Sequence, residues 1–171
     1  MTLFQPTRRR GFLRTSAGFA VGTSALAASA VRATSPRQQE AIQSRSGFMA
    51  NPSTYYDMLS PAQRTDKPPM VLIHGGAHTG SCFMTTADGR PGWAYAFATR
   101  GYEVVVPDWP GIGRSGYVPF EALSGELVVQ GLGQVLRSLD RPAIVMTHSM
   151  SGPFGWKLLE LYGDRIASLV A

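Results

Sequence analysis

The chain has 171 residues, enough for one domain, and its 44% of apolar residues is ordinary for a globular protein. Its formal charge of +5 resides in residues 1–33: Arg8, Arg9, Arg10, Arg14 and Arg32 lie there with no acid, and the other eleven basic residues balance eleven acidic ones. That distribution, with no basic-aromatic patch elsewhere, argues against nucleic acid as a partner, and a single cysteine, Cys82, excludes an intramolecular disulfide.

Arg8-Arg9-Arg10-Gly11-Phe12-Leu13-Arg14 opens a run of small, mildly apolar residues from Thr15 to Val31, ended by the small-residue stretches Ala28-Ser29-Ala30 and Val31-Arg32-Ala33. The run is too rich in Gly, Ser and Thr for a membrane span, which needs about 20 strongly apolar residues. It reads as a signal peptide. The twin arginine, one residue, then Phe-Leu and a basic residue resembles the Tat signal of bacteria. That resemblance implies the Tat export machinery as a partner and a periplasmic or secreted location. Residues 1–33 are therefore left out of the fold.

Thr34 to Ser46 is polar and reads as a linker. Gly47–Ala50 and Thr54–Leu59 flank Asn51-Pro52 as a short hairpin, and Ser60 to Pro69 reads as a loop, so residues 34–68 form a linker and hairpin region. Met70–His74 is a buried strand stopped by Gly75-Gly76. A long connection runs from Ala77 to Arg90. Trp93 to Arg100 has helical spacing, with Trp93, Phe97 and the alanines on one side. Glu103–Asp108 is the next strand, followed by the glycine-rich loop Gly111–Gly116. Gly125 to Leu139 is helical, with Leu127, Val128, Leu132, Val135, Leu136 and Leu139 at three- and four-residue steps. Ala143–His148 is a third apolar strand, Pro153–Tyr162 a helix, and Ile166–Ala171 a fourth strand. Apolar strands alternating with helices imply an α/β fold: a mostly parallel sheet covered by helices on both faces.

The chemistry is concentrated where the third strand ends, in Thr147-His148-Ser149-Met150-Ser151-Gly152. Strand, serine among small residues, then helix is the pattern of a nucleophile elbow, whose tight turn projects the serine Oγ away from the backbone. The G-x-S-x-G form is incomplete: Thr147 replaces the first glycine and Ser151 the second, with Gly152 one position late. A serine acting as an N-cap would read similarly. His74-Gly75-Gly76-Ala77 follows an earlier strand, as a loop presenting backbone N–H groups to an oxyanion would. Gly76 N–H and Met150 N–H are the candidate donors, with Ala77 the alternative to Gly76. Asp108-Trp109-Pro110-Gly111-Ile112-Gly113-Arg114-Ser115 lacks the third glycine and the G-K-[ST] of phosphate loops, and reads as a structural loop beside the site. No metal cluster or nucleotide motif is visible, so no cofactor is implied.

These three pieces in this order resemble the α/β-hydrolase family, and the long loop from Gly75 to Gly92 resembles a branch of secreted bacterial esterases. The resemblance covers about Met70 to Ala171 and implies strands 3–6 of the family core, placing a partial hydrolase domain at residues 69–171. It implies Ser149 as nucleophile, Gly76 and Met150 as oxyanion hole, and a small-molecule ester as substrate. Serine rather than aspartate disfavours the dehalogenase and epoxide-hydrolase branches.

The family's acid follows strand 6 or 7 and its histidine follows strand 8. Here the three histidines are His74, His78 and His148. His74 belongs to the oxyanion loop, His148 is expected to point to the other side of the turn, and His78 reads better as a solvated loop residue than as a base. Strands in the order 4-3-5-6 would leave Glu103–Asp108 and Ile166–Ala171 as bare edges. Two readings result. The chain is the N-terminal part of a serine esterase, truncated before its acid and histidine and inactive alone; or it is a complete, non-catalytic α/β module that binds a ligand or partner. The mid-strand ending Leu169-Val170-Ala171 favours the first.

Overall fold

A computed structural model describes residues 42–171; the signal-like segment and the start of the linker lie outside the described residues. Strands β1 (Ile42–Met49), β2 (Thr54–Pro61), β3 (Met70–Ile73), β4 (Val104–Pro107), β5 (Ala143–Thr147) and β6 (Ile166–Val170) form one sheet in the order β1-β2-β4-β3-β5-β6. The helices are α1 (Ser81–Met84), α2 (Trp93–Ala98), α3 (Gly125–Ser138) and α4 (Gly152–Tyr162). β3, β4, β5 and β6 are mutually parallel, in the expected order.

The central strands are apolar on both faces because both are covered. Val71 and Ile73 of β3, Val105 of β4 and Val145 of β5 join Val128, Leu132, Val135 and Leu136 of α3 and Leu158 of α4 in one core. Met70, Leu72, Val104 and Val106 alternate to the other face and meet Ala94 and Ala98 of α2 with Phe83 of α1. The step from β3 to β4 and the step from β4 to β5 run in opposite directions across the sheet, so right-handed crossovers send α2 and α3 to opposite faces. Ser124 caps α3, its Oγ accepting the Leu127 N–H at 3.2 Å.

Three expectations are corrected. The β4 edge is not bare: β2 pairs antiparallel with β4 from Tyr56↔Pro107 to Leu59↔Val104, making the sheet mixed. Met58 and Leu59 of β2 enter the two cores, one on each face. The linker gives way to β1 at Ile42, because Gln43 to Ser46 sit on an edge strand open to water and carry no apolar signal. On α2, Trp93 is 60% exposed, and Ala94 and Ala98 make the buried stripe because a small side chain brings this short helix close to the sheet.

β3 and β5 are neighbours whose following connections leave in opposite directions. Their C-terminal ends open the crevice where sheets of this kind hold ligands.

Candidate active site

β5 passes into the turn at His148, which remains extended (φ −125°, ψ 126°). Ser149 then takes φ +55°, a left-handed conformation that costs a β-carbon-bearing residue about 1–2 kcal/mol. It is exposed, and a 3₁₀ turn, Ser149–Ser151, leads into α4. The turn is held from beneath. His148 N–H donates to Ile73 O at 3.1 Å and to Ser151 Oγ at 2.8 Å. Ser151 is fully buried, and its hydroxyl lies 3.1 Å from Ile73 O and 3.0 Å from His148 O, donating its one proton between them. Ser151 is thus a strut tying the elbow to β3, whereas Ser149 faces out.

The glycine missing from the motif sits deeper in α4. A β-carbon on Gly155 would lie 2.7 Å from Thr147 Cγ2, so this residue lets the helix close on the strand despite a threonine there. Gly152 has nothing within 4 Å of such an atom. The sequence motif placed this tolerance one turn too early.

The Gly75-Gly76 loop is pressed onto the elbow. A β-carbon on Gly75 would stand 2.9 Å from His148 O and 3.1 Å from Ser149 Cβ, and one on Gly76 would stand 2.7 Å from Met150 Cε. Ala77 turns the loop away with φ +59°. His74 is buried and anchors the loop: its Nε2 accepts the Trp109 N–H at 3.3 Å, which leaves the proton on Nδ1, 2.8 Å from Gly75 O. Its ring stacks on Trp109 with centroids 4.6 Å apart. Burial lowers its pKa, which with these two hydrogen bonds makes it a neutral structural imidazole.

His148 does not point away from the site. Its extended backbone and the bare Gly75 let the ring settle over the loop, with Nδ1 3.1 Å from where a Gly75 β-carbon would stand. The rings of His78 and His148 meet edge to face with centroids 6.1 Å apart. Neither imidazole hydrogen-bonds Ser149 among the described residues.

The loop after β4 supports the floor. Asp108 is fully buried; Oδ1 accepts Gly80 N–H at 2.7 Å, and Oδ2 accepts Arg114 N–H and Arg114 Nε–H, each at 2.9 Å. Burial pushes the Asp108 carboxyl up, but these donors outweigh it and hold it below the ordinary carboxylate range. Arg114 also donates to Asp57 Oδ2 on β2 at 2.7 Å. Burial works against its charge, and the two carboxylates together still raise its pKa. Ser115 Oγ donates to Asp108 O at 2.6 Å and accepts Tyr55 N–H at 2.9 Å. The network joins the hairpin, the β4 loop and the loop after β3, and the sequence motif showed only its middle.

A cavity of about 710 Å³ opens beside the elbow, walled by Gly76, His78, Trp109, Val128, Met150 and Phe154 among others. Ser149 is outside this wall, between two residues that belong to it, Gly75 and Met150. Trp109 and Phe154 pack edge to face at 5.1 Å. Trp109 and Phe154 had no role in the sequence reading, since single aromatics outside a periodic stripe carry no signal there. Among the described residues no cluster of three or more His, Cys, Asp or Glu could hold a metal ion.

The family model that matches this chain, the alpha/beta hydrolase family, spans residues 70–171, from β3 through β6. The chain belongs to the alpha/beta hydrolase family. A curated relative named "Probable secreted lipase phiG", from Fungal sp. (strain ATCC 74256), is 26% identical over 73% of this chain and 50% of its own length. The chain thus spans about half of that relative. Among solved structures of the hydrolase fold, a novel bacterial esterase matches with TM-score 0.62 at 19% identity, over 76% of this chain and 65% of its own. An epoxide hydrolase from Vigna radiata matches with TM-score 0.61 at 17% identity, over 76% of this chain and 38% of its own. At such identities these two show the fold alone.

Proposed function

We propose that this hydrolase domain cleaves carboxylic esters through Ser149, and that the acid and histidine that activate it come from sequence outside these 171 residues. The observation that carries the reading is Ser149 itself: exposed, at φ +55°, on a strand-to-helix turn against which a glycine loop is packed. Ser149 Oγ attacks the ester carbonyl, the alcohol leaves, and water releases the acid from the acyl-enzyme. The N–H groups of Gly76 and Met150 receive the developing oxyanion, aided by the positive end of α4. The half-length match to the curated relative and the chain's three histidines support an outside base. Export through a Tat-type signal in residues 1–33 is part of the same proposal, supported by Arg8-Arg9 and by a relative named as secreted.

The product of the whole reading frame is expected to hydrolyse p-nitrophenyl esters, with Ser149→Ala removing several orders of magnitude of turnover. Undiminished turnover in that variant would overturn the nucleophile. The 171-residue chain is expected to give no turnover above the blank. Turnover by it that disappears on Ser149→Ala would overturn the outside base.

A further inference from the structure

A second, mostly apolar hollow, of about 260 Å³, lies between α3 and α4, bordered by Val129, Leu161 and Tyr162, with Glu126, Gln130 and Lys157 also in its wall. It shares two residues with the 710 Å³ cavity beside Ser149, and only two: Gly125 and Phe154. Gly125 has no side chain to form a wall, and a β-carbon there would already meet Phe154 Cε1 at 3.4 Å. The partition between the two spaces is therefore the Phe154 ring, braced on Trp109. Val128 faces the larger cavity and the next residue, Val129, the smaller, so one turn of α3 lines both.

We propose that Phe154 sets the longest alkyl chain the site accepts, by closing the cavity off from the hollow between α3 and α4. The occupant of an opened hollow is the distal end of a straight alkyl chain whose carboxyl head lies at the elbow. The two spaces adjoin across the Phe154 ring, and the hollow's wall is mostly apolar, with Glu126, Gln130 and Lys157 at its border; this favours that occupant. This inference rests on reading the larger cavity as the place of an ester's chain. Removing the ring lets further methylenes leave water, each adding roughly fourfold in affinity.

The test is equilibrium binding of a homologous series of straight-chain alkyl carboxylates to the product of the whole reading frame. No bond to Ser149 is made or broken in it, so its outcome is read independently of the nucleophile. In the native protein affinity is expected to rise with chain length and then level off. In Phe154→Ala it is expected to keep rising past that point, leaving the shortest members unchanged. Phe154→Leu gives a smaller shift of the same kind should the alanine variant fail to fold. Leu161→Arg, which lies in the hollow and outside the larger cavity, is expected to cancel the gain in either background. A change equal at all lengths, a gain that survives Leu161→Arg, or no binding of any member to native protein would each overturn the proposal.

Discussion

At the scale of single residues, two serines two positions apart do opposite jobs. Ser149 is exposed and makes the turn; Ser151 is buried and holds it. Ser151→Ala would leave His148 N–H without its 2.8 Å acceptor and is expected to cost about 1–2 kcal/mol in urea denaturation, whereas Ser149→Ala should leave stability near native. The buried titratable groups make a pH signature. His74 has a folded pKa below its ordinary 6.5, so the unfolded chain binds the proton first. Its contribution is full above pH 6.5 and is lost as pH falls from there toward the folded value. Asp108 is held below 3.8, so its contribution is full above that value and is lost as pH falls further, through its folded pKa. Denaturation midpoints should therefore fall in two steps on acidification, and Asp108→Asn should remove the lower one. Arg114→Met is expected to cost about 2–3 kcal/mol: it strands a buried carboxylate, but two backbone N–H groups still reach it and the guanidinium is partly in water.

At the scale of elements, the close approach of α4 to β5 depends on Gly155. Gly155→Ala should destabilise by about 1–3 kcal/mol, since Thr147 Cγ2 and Leu169 Cδ1 leave a β-carbon no room. Gly152→Ala, in open space and in helical conformation, should be neutral or stabilise by about 0.4–1 kcal/mol. Thermal melts of the two variants separate these roles. The order strand, glycine loop, strand, glycine-rich loop, strand, serine turn, helix was legible in the sequence because the apolar runs are broken by Gly75-Gly76, by Gly111–Gly116 and by Ser149. Gly155 was not legible: its reason is a contact with a strand one turn away, and helical glycines carry no mark of that. Nor was the orientation of the His148 ring, which is decided by Gly75, more than seventy residues earlier.

At the scale of the whole molecule, the antiparallel hairpin closes one side of the parallel block and leaves β6 paired on one side only among the described residues. Val170 and Ala167 are exposed along it. The 171-residue chain is expected to associate with rising concentration through this edge, and Val170→Lys to reduce that association in light scattering. The hairpin's cover of β4 was hidden because pairing between β2 and β4 is long-range, and the polar β1 resembles a linker. The cavity wall was hidden for the same reason, being assembled from four separate segments. The central claim is that the chemistry of this α/β hydrolase passes through Ser149. It is tested most directly by treating the product of the whole reading frame with an alkyl fluorophosphonate and mapping the adduct by peptide mass spectrometry. An adduct on Ser149, lost in Ser149→Ala and kept in Ser151→Ala, is the predicted result; an adduct on Ser151, or none, would contradict it.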